Sequence, residues 1–363
     1  MPAGSSQTAR RTRRPPQRLT VAITGPTGDI GRSLLRALDR SRDVKQVRAM
    51  ARRPFDPTEH GLSKTEYRQG DVLDRAKLDE LCSGADVVVH LAFVIIGGLE
   101  ETQRVNLEGS RNVFAAAVAA GATRMVYASS VAAYGFHEDN PLPLTEDIVP
   151  RGTERHYYSA QKAKLEGVLD EALAGTDTVG YVFRPCIVAG PDALALLENI
   201  PYTQLRGLVR EGSGPLAGAI LQATERFPGL KPVLPDPGTP FQLVHHDDVA
   251  TAMRAGVLGR GQPGVYNLAG PGEIQMADIA QELGWYTVPV PKAALDGLAE
   301  LVARLPVVPA QAQWIESIRV PVLMDTARAR RQLRWRPRHD ALTTLREMVR
   351  SGRERGLVGG TSS

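Results

Sequence analysis

Apolar residues recur along this chain in two alternating rhythms. Short runs rich in β-branched residues stand at Leu19–Ile23, Val44–Ala51, Tyr67–Val72, Ala85–Ala92 and Arg124–Ser130. Nearly continuous apolar runs of this kind suit strands buried on both faces. Between them, stripes recur at helical period. Ile30, Leu34, Leu35 and Leu38 form the first, Asp74–Leu81 carries the second, and Glu101–Ala120 the third, ended by Gly121. Such alternation predicts an α/β fold: a doubly wound parallel sheet of Rossmann type with helices on both faces. Right-handed crossovers then gather the strand C-termini and their loops on one edge, where ligands bind. Asp74 is placed to cap the second helix.

The first strand leads into Gly25-Pro26-Thr27-Gly28-Asp29-Ile30-Gly31, which opens the first helix. Each glycine has its own use. Gly25 permits the tight turn, Gly28 lets a pyrophosphate approach bare backbone, and Gly31 lets the helix pack close to the sheet. Free N–H groups and the positive end of the helix dipole then hold the anion. The spacing is G-x-x-G-x-x-G rather than G-x-G-x-x-G, and its place between strand and helix carries the reading of a dinucleotide site. A ribose-binding carboxylate would be expected near the end of the second strand. Ala51 stands there, followed by Arg52 and Arg53. That favours the 2′-phosphate of NADP over NAD, with Arg52 as its holder.

Composition adds limits rather than direction. A chain of 363 residues has room for about two domains. Its net charge of +4 is largely local, since Arg10, Arg11, Arg13, Arg14 and Arg18 crowd the first tail. The balance therefore does not argue for nucleic acid. Residues 1–18 lack the apolar core of a secretory signal and read as a disordered Arg-rich tail. No apolar run is long enough to span a membrane. Cys82 and Cys186 show no metal spacing and suit a reducing, cytoplasmic setting.

The candidate chemistry follows the fifth strand. Ser129-Ser130 ends that strand, and Tyr158-Ser159-Ala160-Gln161-Lys162 opens a helix running to about Ala174. Tyr158 and Lys162 are four apart and share a helix face. An ammonium there is expected to lower the phenol's pKa, so that the phenol exchanges a proton with an alcohol or ketone near neutral pH. A serine at the strand end would hold the substrate oxygen.

Other features take plainer readings. His90 reads as a packed histidine within a strand. His245-His246-Asp247-Asp248 resembles a metal cluster on paper, but it reads as a loop-to-helix junction with Asp247 or Asp248 as the cap. No metal site is expected. Residues 192–240 are rich in Gly and Pro, and Pro228, Pro232, Pro235, Pro237 and Pro240 mark a long irregular loop. Ala219–Arg226, residues 273–284, an amphipathic stretch over Ala293–Leu305, a basic helix to Leu333 and Ala341–Ser351 read as helices. The expected division is a dinucleotide-binding domain over residues 19–190, with 241–270 returning to it. A smaller, mostly helical substrate-binding domain takes 191–240 and 271–350, and 351–363 form a flexible tail.

Taken together, Thr24–Gly31, Gly70-Asp71-Val72, His90-Leu91-Ala92, Asn106 within Val105–Gly109, Ser129-Ser130 and Tyr158–Lys162 resemble the extended short-chain dehydrogenase/reductases, the NAD-dependent epimerase/dehydratase family. Phe183–Pro191, Val244–Ala250 and Tyr266–Gly270 continue the resemblance over about residues 18–350. It implies Tyr158 as acid/base, Lys162 as its ribose-binding partner and Ser130 as the substrate-polarising serine, with Ser129 as the fallback. It implies Gly25, Thr27, Gly28, Asp29, Ile30 and Gly31 around the cofactor's phosphates. Asp71 and Val72 would hold the adenine, and Leu91 and Ala92 lie beside the ribose. Asn106 is a structural residue behind the site, and Pro185 and Ile187 line nicotinamide and substrate. A homodimer through the helices bearing Asn106 and Tyr158 is implied as well.

One departure matters. Family members acting on nucleotide sugars usually carry asparagine where this chain has Ile187, and tyrosine where it has Ala189. Isoleucine cannot donate to a phosphate. The expected function is therefore hydride transfer between a nicotinamide and a carbinol or carbonyl carbon of a small or hydrophobic substrate. A nucleotide-sugar epimerase is the alternative enzyme. A non-catalytic NAD(P)-binding regulatory protein is the alternative of another class.

Overall fold

The structure, a computed structural model, describes residues 18–95, 99–200, 202–203, 231–291, 293–295, 297 and 319–358. The Arg-rich tail, the helix expected at 219–226 and most of the amphipathic stretch at 293–305 lie outside these residues.

Seven parallel strands form the central sheet. In chain order they include β1 (Leu19–Thr24), β2 (Val44–Ala51), β3 (Thr65–Gln69), β4 (Val87–His90), β5 (Arg124–Ala128) and β6 (Val179–Pro185). The seventh, Gly264–Leu268, lies outermost beside β6, and the spatial order across the sheet is Gly264–Leu268, β6, β5, β4, β1, β2, β3. The order reverses between β1 and β4, where Val21 pairs with Val87 and Thr24 with His90. That reversal opens a crevice above the strand ends, the place such sheets use for ligands.

The two-residue period of each strand divides the core. Val21 and Ile23 of β1, with Val87 and Val89 of β4, pack against the first helix, α1 (Asp29–Asp39), and the helix His246–Val257. Ala22 and Val88 face the other way, onto Leu78, Leu81, Phe114, Leu165 and Leu169. These belong to α2 (Arg75–Cys82), α4 (Gly109–Ala119) and α5 (Tyr157–Leu173), with the short α3 (Leu99–Gln103) preceding α4. Both faces are fully covered, so the strands read as continuous apolar runs.

A third apolar cluster lies outside the sheet. Leu197, Leu243, Ile279, Leu345 and Met348 are its centre, on the segments 187–200 and 243–245 and the helices Met276–Leu283 and Ala341–Glu354. Ile187–Ala189 pairs in parallel with Leu243–His245 at its edge.

Two expectations need correction here. The proline-marked stretch at 232–240 contains a strand, Val233–Asp236, paired in parallel with Tyr286–Pro289. Prolines tolerate a two-stranded sheet because each strand has a side that need not donate to a neighbour. The last helix runs on to Glu354, and Val358 is buried beyond it, so order extends past residue 351.

Candidate active site

The glycine turn is built as its spacing requires. Gly25 has φ of +73°, the left-handed region. A Cβ at Gly25 would lie 2.5 Å from the Ala92 nitrogen, and one at Gly31 would lie 2.5 Å from the Gly25 carbonyl oxygen. Gly31 thus clears the turn's own carbonyls rather than the sheet. Gly28 is the N-cap of α1 and offers no side-chain acceptor, so the first N–H groups of the helix are left for another acceptor. Thr27 accepts at its carbonyl from Arg32 Nε, and Ile30 packs on the core below. Asp29 is partly buried beside Glu198, and both effects push its carboxyl up.

Neighbouring strand ends close around this turn. The Gly25 N–H donates to Met50 O, the Leu91 N–H to Thr24 O, and the Gly70 N–H to Ala51 O. Asp71 accepts from the Leu73 N–H, and the Val72 side chain fills the space left by Gly109. Arg52 is exposed at the end of β2, 4.0 Å from Glu101. The turn, Leu91, Ala92, Asp71, Val72 and Arg52 therefore share one edge of the sheet.

The tyrosine helix begins on a histidine cap. His156 accepts from the Ser159 N–H, and Ser159 Oγ donates 2.6 Å to Ala132 O. The helix start is thereby pinned to the turn after β5. Ser130 caps that turn through the Ala132 N–H, and its hydroxyl is near enough to the Tyr158 phenol to lower its pKa against the effect of burial. Ser129 instead donates 2.5 Å to Glu166. The geometry thus selects Ser130 over Ser129.

Lys162 is 4% exposed and donates 2.7 Å to Ala128 O. Its ammonium lies 3.8 Å from the Phe93 ring centre and 5.9 Å from that of Tyr158. Burial pulls the Lys162 pKa down to about 7, opposed by the Glu166 carboxylate. Burial likewise pushes the Tyr158 phenol up, opposed by the Ser130 hydroxyl. The expected lowering of the phenol by Lys162 is not what this arrangement produces. The i,i+4 spacing sets the two side chains on one face, but burial decides the direction for each.

Asn106 sits in a wide helical turn, Arg104–Glu108. It holds both the N–H and the carbonyl of Val94 and donates 2.8 Å to Gln161. This fixes the loop after β4 against the residue beside Lys162. Pro185 follows Arg184 at the end of β6, and Ile187 packs in the third apolar cluster. Phe93, Glu166, Gln161 and Arg184 were not singled out by the sequence reading. The spacing 158, 162, 166 along one helix face was the available signal for Glu166.

His90, His245 and His339 are engaged in structural contacts. His90 meets Thr24 Oγ1 at 2.7 Å and Ser110 Oγ at 2.8 Å, as a packed histidine should. The cap of His246–Val257 is His245, which accepts from the Asp247 N–H, and not an aspartate. Asp248 is turned inward, where it accepts from the N–H groups of Arg338 and His339 and from His339 Nδ1. His245, His339 and Glu347 bring ligand-type atoms within 4.8 Å of one another. Two features oppose a shared ion. His245 Nδ1 is the cap acceptor, so the neutral ring's proton is on Nε2, which lies 3.2 Å from Glu347 without hydrogen-bond alignment. The His245 and His339 rings also stack at 3.9 Å, so their lone pairs do not converge. Cys82 and Cys186 are buried free thiols, and burial raises both pKa values.

Comparison with known proteins gives the family. Residues 21–269 match the profile of the NAD dependent epimerase/dehydratase family. A ceramide reductase of Caulobacter vibrioides is 35% identical over 173 residues, 47% of either chain. Sterol demethylase protein B of Methylococcus capsulatus is 31% identical over 176 residues, 48% of this chain and 52% of that one. The chain spans about half the length of the curated relatives it matches. A UDP-glucuronic acid 4-epimerase of Bacillus cereus, solved with NAD, superposes with a TM-score of 0.67 at 16% identity, over 93% of this chain and 99% of that one. At such identity the likeness speaks for the fold. The glycine turn and the uncapped helix start, where a Cβ would fill the cradle, fit a nicotinamide dinucleotide. Among the described residues no helix is long and apolar enough to cross a membrane.

Proposed function

The chain belongs to the NAD dependent epimerase/dehydratase family, and from that premise we propose that it is an NAD(P)-dependent dehydrogenase or reductase of an apolar, lipid-like alcohol or ketone. The single observation that carries this is the shared face of Tyr158 and Lys162 on a helix whose start Ser159 pins to the turn that Ser130 caps, at the edge shared with the glycine turn.

Bound dinucleotide would supply the hydride donor or acceptor. Gly25, Thr27, Gly28, Asp29, Ile30 and Gly31 would hold its phosphates, and Asp71 and Val72 its adenine. Leu91, Ala92 and Lys162 would meet the ribose, and Pro185 the nicotinamide side. Ser130 holds the substrate oxygen against the Tyr158 hydroxyl. Tyr158 gives its proton to that oxygen in reduction and takes it back in oxidation. The raised phenol pKa keeps Tyr158 protonated, which suits it to the reductive direction.

An apolar substrate is supported by Ile187 and Ala189, which offer no side-chain donor, and by the apolar cluster Ile187 packs in. It agrees with the names of the two relatives above, a ceramide reductase and a sterol demethylase protein. We place NADP ahead of NAD, because β2 ends at Ala51 with Arg52 exposed beside it. The epimerase reading is supported by the family's own description and by a 4-epimerase relative of Escherichia coli, 29% identical over 175 residues, and Ile187 weighs against it for nucleotide sugars. The test is a panel of sterol and long-chain ketones with NADPH or NADH. Turnover of any apolar ketone, abolished in Tyr158→Phe, is expected. Turnover of UDP-sugars alone would replace this reading by the epimerase.

A further inference from the structure

The helix that carries Tyr158 and Lys162 carries a third group on the same face. Glu166 lies one turn beyond Lys162 and is 5% exposed. Its Oε1 accepts from Ser129 Oγ at 2.5 Å and from Arg184 Nε at 2.9 Å, and its Oε2 accepts from an Arg184 terminal nitrogen at 2.5 Å. Arg184 is 2% exposed, and its guanidinium carbon sits 4.4 Å over the Tyr134 ring. One carboxylate therefore ties together three segments. They are the helix of Tyr158, the strand end that bears Ser130, and the last residues of β6 before Pro185.

We propose that Glu166 is a positioning residue, which tethers the Ser130 strand end through Ser129 and sets a negative charge one helical turn from the Lys162 ammonium. This rests on the oxidoreductase reading above. A structural pair alone would not need a carboxylate here, since burying two charges gains little over apolar packing. The surroundings of Lys162 explain the need. The ammonium is buried against Phe93, with Tyr127 from β5, His90 from β4 and Tyr158 from its own helix around it. His90 is held neutral by burial and by Lys162 itself, and burial pushes the Tyr127 phenol up. Among these groups and the Glu166–Arg184 pair, Glu166 is the anion. It opposes the desolvation that would strip Lys162 of its proton near neutral pH.

The test reads Lys162 directly and needs no substrate. Protein labelled with [13Cε]-lysine gives one signal that disappears in Lys162→Arg, and its pH midpoint is followed by NMR. Glu166→Gln keeps the shape and removes the charge, so the midpoint is expected to fall by about one pH unit. The uncompensated Arg184 guanidinium pushes the same way. Glu166→Asp keeps the charge on a shorter arm, so its midpoint stays near wild type while its Tm falls. An unchanged midpoint in Glu166→Gln, or equal shifts in both variants, overturns the proposal. If Glu166→Gln does not fold, Glu166→Gln with Arg184→Met removes both buried charges, and a fall in midpoint, smaller because the guanidinium is gone, is still required. Ser129→Ala cuts the tether and leaves the charge. Turnover of the ketone best reduced by wild type should drop several-fold with the Lys162 midpoint unmoved, and undiminished turnover would overturn the tether. The underlying reading fails separately: NADPH and NADH would bind wild type and Lys162→Met equally, or not at all.

Discussion

Two buried polar clusters stand in this molecule, and they invert the impression the sequence makes. The run His245-His246-Asp247-Asp248 is dense in groups that bind metals. Tyr158 and Lys162, four residues apart, form a pattern that chance produces often. In the folded chain the first cluster turns inward except for the exposed Asp247. Asp248 accepts three hydrogen bonds from Arg338 and His339, His246 holds Ser33 at 2.7 Å, and His245 caps its own helix. The second cluster faces a helix start with no side-chain cap and a glycine turn cleared of Cβ atoms. Density of polar groups does not mark a reactive site. What marks it is donors and acceptors that the fold has aimed at one edge without spending them on itself.

This contrast can be broken or sharpened by mutation. The largest effect is expected at the outward cluster. Tyr158→Phe should lower turnover by about 10²- to 10⁴-fold, with NADPH affinity and Tm near wild type. Coupled kinetic and calorimetric measurements check it, and a parallel loss of Tm would turn the residue into a structural one. Gly25→Val should abolish cofactor binding and lower stability by about 3 kcal/mol, because the new Cβ would meet Ala92 backbone at 2.5 Å and φ is +73°. Denaturant unfolding with and without NADPH separates the two losses.

At the inward cluster the pattern should reverse. Asp248→Ala strands the donors of Arg338 and His339 and should cost about 2 kcal/mol, with NADPH affinity unchanged in whatever fraction stays folded. Acid should act through the same logic. His245 and His156 are pulled down to about 4 and His90 to about 3, in each case first by burial. The unfolded chain binds these protons from about pH 6.5 downward, whereas the folded chain resists them to about pH 4. Stability is therefore fully present above pH 6.5 and drains away as pH falls toward 4. Thermal melts across that range measure it, and a Tm flat from pH 7 to 4.5 would contradict the buried neutral histidines. The smallest effect is expected at Arg52→Ala, a several-fold loss of NADPH affinity with little change for NADH.

The sheet was legible in the sequence because both of its faces are buried. Continuous runs such as Val87–Val89 have no solvent side to confuse the pattern, and the glycine turn is dictated by backbone geometry that few residues satisfy. Gly25, Tyr158 and Lys162 were readable for that reason, through local spacing. What remained hidden depends on contacts distant along the chain. The Ser129–Glu166–Arg184 network joins positions 37 and 18 residues apart, so no local window reveals that Ser129 is committed to Glu166. The strand at Val233–Asp236 was masked by prolines, which an edge tolerates and a propensity scale penalises. The lowered phenol pKa failed differently. Spacing gave the right neighbours, but burial decides the sign, and burial of Lys162 and Phe93 over the site is a property of the folded loop at 91–94.

The central claim is that the Ser130–Tyr158–Lys162 edge reduces an apolar carbonyl with a nicotinamide. Its most direct test follows deuterium from [4-2H]-NADPH and [4-2H]-NADH into sterol and long-chain ketones by mass spectrometry. The account predicts labelled alcohol with wild type, more from NADPH, and at least about a hundredfold less with Tyr158→Phe. No label from either cofactor, or equal labelling by Tyr158→Phe, would contradict it.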